Sequence, residues 1–267
     1  MAGEHMPMTS GDPYRAAPGA GDPGAPEHAS PFDDPRTMQI LSTEHWSLLA
    51  TRSLSWSESF ARAGLFLSVV SATAVALALV GQATDFGDRF VAFALVMLPV
   101  DLFVGLATFT RLDEVNGEDA IWVAGMNRIR HAYLEVNPAL APYFITGSTD
   151  DPAGLERSFG VHRPGNALAH WIVTMPGMVA VIDGVLAGLI VGLAVNTVAH
   201  MAMQEAILAG AVVGVIVPVV LAIRSRSSFR WLLGAYRPMF RSEGTSLYGH
   251  DLARADRRED GPRQPGA

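Results

Sequence analysis

Two carboxylates, Asp101 and Asp183, lie inside long apolar runs, and they are the residues of this sequence best suited to chemistry. An ionised carboxylate in hydrocarbon is expensive, so each must be protonated, hydrogen-bonded or open to water. Acids held that way can bind and release a proton or hold a cation. Pro99, just ahead of Asp101, removes a backbone donor and loosens its helix, freeing carbonyl oxygens as further acceptors. The opposing reading is structural: Asp183 stays hydrated near an interface, and Asp101 is a neutral acid donating a hydrogen bond between helices. At about 1.5 Å per residue from the cytoplasmic ends of their spans, Asp101 is expected about 12 Å deep and Asp183 about 8 Å deep.

A second pattern joins helices. Ala180, Gly184, Gly188, Gly192 and Asn196 recur every fourth residue, and Ala206, Gly210, Gly214, Pro218 and Ala222 answer them. Such stripes let two backbones approach closely, and in lipid that contact supplies much of the association energy. The short connection between them predicts a hairpin within one chain, the alternative being a glycine-lined face joining subunits around a pore. A third group, Arg128, Arg130 and His131, is a candidate cytoplasmic interaction surface. It flanks an apolar stripe of Trp122, Met126, Ile129, Tyr133 and Val136, which is expected to pack internally rather than lie on the membrane.

The elements that must position these residues are four apolar runs, about 63–83, 90–109, 178–198 and 205–223. A hydrocarbon core about 30 Å thick needs roughly 20 apolar helical residues, and all four runs qualify. Their apolar character extends nearly all round, as lipid demands and as the surface helix of a soluble bundle does not. The expected fold is all-α: a four-helix transmembrane bundle with cytoplasmic amphipathic helices and disordered termini. Arginines cluster before the first span (Arg52, Arg62), between the second and third (Arg111, Arg128, Arg130, Arg157, Arg163) and after the fourth (Arg224, Arg226, Arg230, Arg237, Arg241). Basic short loops stay inside, so the chain is expected in the cell membrane with both termini cytoplasmic.

Around this membrane domain, residues 41–245, lie two polar tails. Residues 1–40 are rich in Pro, Gly, Ala and Asp and are expected to be disordered, as is 246–267. The first tail lacks the basic start and apolar stretch of a signal peptide, and Met38 is an alternative start. Ser42 is expected to cap a long helix running through the first span, and Asn116 to cap a separate amphipathic helix that stops at Asn137-Pro138. Residues 146–164 read as a loop, followed by a short helix over 166–174 before Pro176 opens the third span.

All 19 basic residues are arginine and the chain has no cysteine. Without lysine there is no intact P-loop, no Schiff base and no Ser-x-x-Lys nucleophile. Without cysteine there is no thiol catalysis, no Cys-ligated metal and no disulfide. His45, His131, His162, His170 and His200 show no metal-ligand spacing. A conventional enzyme is disfavoured and neither cofactor nor metal is expected. The net charge of −7 argues against nucleic acid, leaving the lipid bilayer, a second copy of the chain or a cytoplasmic protein as partners.

The segments LSTEHWSLLATRSLSWSESFARA (41–63) and MNRIRHAYLE (126–135) resemble a family of uncharacterised actinobacterial integral membrane proteins, a likeness spanning about residues 40–245. The lysine-free composition is similar to that of high-GC actinobacterial proteins. The resemblance implies the four-pass fold and no activity or site residues. Three functions stay open: non-enzymatic binding or sensing on the cytoplasmic side, a small oligomeric channel or cation- or proton-coupled transporter using Asp101, and a membrane-disrupting defence effector.

Overall fold

The computed structural model describes residues 32–160 and 171–242. Among the described residues the helices are α1 (Arg36–Ala83), α2 (Asp88–Val136), α3 (Pro152–Phe159), α4 (Met175–Thr197) and α5 (Met203–Ala235), with a 3-10 turn at Pro138–Tyr143. Helices α1, α2, α4 and α5 are each long and apolar enough to cross a membrane. No strand occurs among the described residues. The short helix expected over 166–174, together with His162, Arg163 and His170, lies largely or wholly outside the described residues.

The first two helices run 48 and 49 residues without a break. Helix α1 starts ahead of Ser42, following a turn at Asp34 whose Oδ1 accepts from the Arg36 amide at 2.8 Å and whose carbonyl accepts from that of Thr37 at 3.0 Å. Helix α2 passes through Asn116, so the expected amphipathic helix is the far half of α2. Its neighbours decide this: Val115, Ala120, Val123, Ala124 and Met126 are buried through that stretch, and tertiary packing overrides a local cap signal. The α1–α2 turn is only four residues long, with Asp85 and Phe86 in the left-handed region at φ 49° and 54°. Residues 146–164 are not all loop: Asp151 caps α3 by accepting from the Gly154 amide, and Gly160 ends it at φ 70°.

Packing divides the molecule into two layers along the long axis. In the spanning layer α1 packs on α2, α2 on α4, and α4 on α5. Phe66, Ala94, Leu98, Phe109, Leu112, Val179, Ala180 and Leu186 form its core. In the second layer, here called the head, the ends of α1, α2 and α5 converge with α3 around Val123, Ala124, Met126 and Leu155, packed by Leu48, Leu233 and Tyr236.

The glycine stripes pair in antiparallel register. A Cβ on Gly188 would lie 2.6 Å from the Gly210 carbonyl oxygen, and one on Gly210 would lie 2.6 Å from that of Gly188. A Cβ on Gly184 would meet the Gly214 carbonyl at 2.5 Å, and one on Gly192 the Ala206 carbonyl at 3.2 Å. The stripes therefore build an intrachain hairpin in which backbone meets backbone. Gly188→Val is expected to destabilise the protein by about 1–3 kcal/mol through overpacking, while Gly234→Ala, which meets nothing within 4 Å, is expected to be silent. Thermal unfolding in detergent measures both.

Candidate functional site

Asp183 projects from the first turns of α4 and is fully buried. Its carboxylate occupies the space over Gly105 of α2: a Cβ added there would lie 1.7 Å from Asp183 Oδ1 and 2.9 Å from the Phe66 ring. Glycine at 105 is thus required by a close approach between α2 and α4. Asp101 lies one turn before Gly105 on the same face of α2, so its Cβ stands about 5–6 Å from that point. The fold brings the two acids into one layer of the core, and Asp183 is too enclosed for the hydrated interfacial position that the sequence left open.

Asp101 is 1% exposed and accepts a hydrogen bond from the Thr73 hydroxyl of α1 at 3.0 Å. Its other oxygen, and both oxygens of Asp183, have no partner among the described residues. The nearby Thr108 hydroxyl donates instead to the Val104 carbonyl of its own helix at 2.8 Å. Buried polar atoms in folded proteins are almost always hydrogen-bonded, and three unpaired carboxylate oxygens within one core layer mark a place where a ligand as small as a proton matters.

Ion pairs hold the head together. Arg52 of α1 meets Asp119 of α2 in a forked contact at 2.5 and 3.2 Å, with the Trp56 indole donating to the same carboxylate at 3.3 Å. Arg111 of α2 donates to Glu118 at 3.0 Å and reaches Glu58 of α1 at 3.4 Å, which raises the guanidinium above its ordinary range. Arg111 thus belongs to an interhelical charge cluster. Arg111 also contacts Glu114, and Asp113 accepts from Ser225 of α5.

Asp150 and Asp151 fasten the segment after α5. Asp150 accepts from Arg128 at 2.5 Å, the Tyr236 hydroxyl at 2.9 Å, and the Met239 and Phe240 amides at 3.0 and 2.8 Å. Asp151 accepts from the Ser242 amide at 2.8 Å and its hydroxyl at 2.6 Å. Burial alone would raise the Asp150 carboxyl, but these donors outweigh it and hold it below the ordinary carboxylate range.

The three residues expected to form an interaction surface are engaged within the head. Arg128 grips Asp150, Arg130 donates to Asn127 at 2.7 Å, and His131 stacks on Phe240 with ring centroids 3.9 Å apart. Asn127 is fully buried and donates to the Thr149 carbonyl at 2.9 Å. Sequence reasoning missed Thr73, Glu58, Asp119, Asp150 and Asp151 as partners. Only Asp151 carried a local signal, an Asp-Pro pair that caps a helix.

Compared with known protein families, curated proteins and solved structures, the chain matches none. Whatever is said of its function rests on its own residues.

Because the folded Asp150 carboxyl lies below its ordinary value, its contribution to stability is complete above that value and is lost as pH falls through the folded one. Hydrogen-exchange protection of the Met239 and Phe240 amides, which donate to Asp150, is expected to hold at neutral pH and fall below about pH 4. Asp150→Ala is expected to abolish it at neutral pH.

Proposed function

We propose that this protein is a non-enzymatic, proton-sensing integral membrane protein with both termini in the cytoplasm. Asp101 and Asp183 form its intramembrane sensor and the head its output. The observation that carries the reading is Asp183: a wholly buried carboxylate with neither oxygen partnered, pressed against Gly105 one turn from Asp101. A carboxylate enclosed in an apolar core is costly to ionise, so gain or loss of one proton at Asp183 changes how α2 and α4 pack around Gly105.

The continuity of the helices supports the link to the head. Helix α1 carries Thr73 in the spanning layer and Arg52 in the head, and α2 carries Asp101 and Asp119 likewise. A shift in either helix at the acid layer reaches the head without crossing a loop. The orientation rests on the arginine clusters, which lie on the head side of the four spanning segments. Enclosure of the acids by Phe66, Leu98, Val179 and Leu186 favours proton binding over a wide aqueous path, which is why sensing ranks above transport.

The chain has no native cysteine, so spin labels at Thr51→Cys and Ser227→Cys report the head alone. In liposomes, their distance distribution is expected to change between mildly acidic and mildly alkaline buffer. That change should vanish in Asp183→Asn and shrink in Asp101→Asn. A distribution that ignores pH, or one that responds equally in all three proteins, would refute the reading. Proton flux above that of empty vesicles, abolished by Asp101→Asn, would replace sensing with transport.

A further inference from the structure

Helix α5 continues about three turns past the last apolar residue of its spanning run, Ile223. The part facing the head is buried or half-buried: Ser225 contacts Asp113, and Leu232 and Leu233 pack on α2. The opposite side is exposed and carries Arg224, Arg226, Arg230, Ser227 and Trp231, the indole at 74% exposure. At 100° per residue, Ser227 and Trp231 lie along the middle of this face, with Arg224 on one flank and Arg226 and Arg230 on the other.

The arginines of this face are not engaged in ion pairs, unlike those that join the helices of the head. Arg52, Arg62, Arg111 and Arg128 each have a carboxylate partner. Arg224, Arg226 and Arg230 have none within 4.0 Å among the described residues. Arg224 acts electrostatically on Asp113. Burial raises that carboxyl above its ordinary range, while its Ser225 hydrogen bond and the Arg224 charge act against the rise. Arg226 and Arg230 have no ion pair among the described residues, and together they leave a cationic surface beginning where the hydrocarbon ends.

Depth selects the ligand. Along the axis Arg226 lies about 5 Å and Arg230 about 10 Å beyond Ile223, and the headgroup layer is roughly 5–8 Å thick on each side. Long arginine side chains bend back toward phosphate at that level, and an exposed indole is favoured at the same boundary. We infer that the exposed face of α5 formed by Arg224, Arg226, Arg230 and Trp231 is a binding site for anionic phospholipid headgroups of the inner leaflet. The guanidinium forks take the phosphate oxygens, Ser227 supplies a hydroxyl donor, and the indole covers the outer side of the headgroups. The site depends on the four-pass topology and is independent of the proton reading.

The test uses the full chain reconstituted in phosphatidylcholine membranes containing spin-labelled phosphatidylglycerol or spin-labelled phosphatidylcholine. The wild type is expected to prefer phosphatidylglycerol, and to lose that preference as salt is raised. Each Arg→Gln change at 224, 226 and 230 is expected to weaken it about 5-fold, and the three together on the order of a hundredfold. The corresponding triple Arg→Lys variant is expected to keep most of it, which separates charge from any effect on folding. A preference insensitive to salt, unchanged in the triple Gln variant, or lost equally in the triple Lys variant would overturn the assignment. So would displacement of the lipid by an equal concentration of inorganic phosphate, or tighter binding of an acidic peptide copied from residues 1–31, which would make the face a protein contact.

Discussion

Hydrocarbon offers no hydrogen-bonding partner, and most features of this protein follow from that single constraint. Backbone groups satisfy it by staying helical, so α1, α2, α4 and α5 cross as unbroken helices with Pro99 and Pro218 as their only internal prolines. Side chains satisfy it differently in each half. Between α4 and α5 the answer is to have no side chain at all: Gly184, Gly188, Gly210 and Gly214 let carbonyls approach the facing backbone. Among α1, α2 and α4 the polar groups remain and are enclosed, with Thr73 on Asp101 and the Asp183 carboxylate over Gly105.

The two halves therefore divide the work. The glycine hairpin holds α4 in a fixed place, which matters because α4 delivers Asp183 to α2. The α1–α2 pair, each helix longer than a membrane needs, extends beyond the bilayer and becomes the frame of the head. There the same pair is fixed by charge rather than by close packing alone, through Arg52 with Asp119 and Arg111 with Glu58. Water reaches part of these side chains, so each contact is modest in energy, and their value lies in setting the register of α1 against α2. A change in that register at the acid layer would be felt by both contacts.

How much of this was legible follows from what kind of signal each feature leaves in sequence. Span length and the four-residue glycine repeat are compositional or periodic, and they lead directly to the four helices and to the α4–α5 hairpin. The caps at Ser42 and Asn116 misled because each is a local preference, overridden at one by a helix start at the Asp34 turn upstream and at the other by burial around Val115 and Ala120. The proximity of Asp183 to Asp101 was not legible. It depends on which face of α4 meets α2, a choice made by Gly105 and Phe66 from two other helices. Asp150 is similar: its partners lie 22 to 90 residues away, and no spacing rule announces them.

The claim on which the account turns is that Asp183, beside Asp101, gains and loses a proton in the apolar core. Infrared difference spectroscopy on the reconstituted protein, with pH as the perturbation, observes this directly through the carbonyl stretch of a protonated carboxylic acid. The account predicts a pH-dependent carboxylic acid band that shifts in Asp101→Asn and disappears in Asp183→Asn. A band that is absent, or that is present and unchanged in Asp183→Asn, would contradict it.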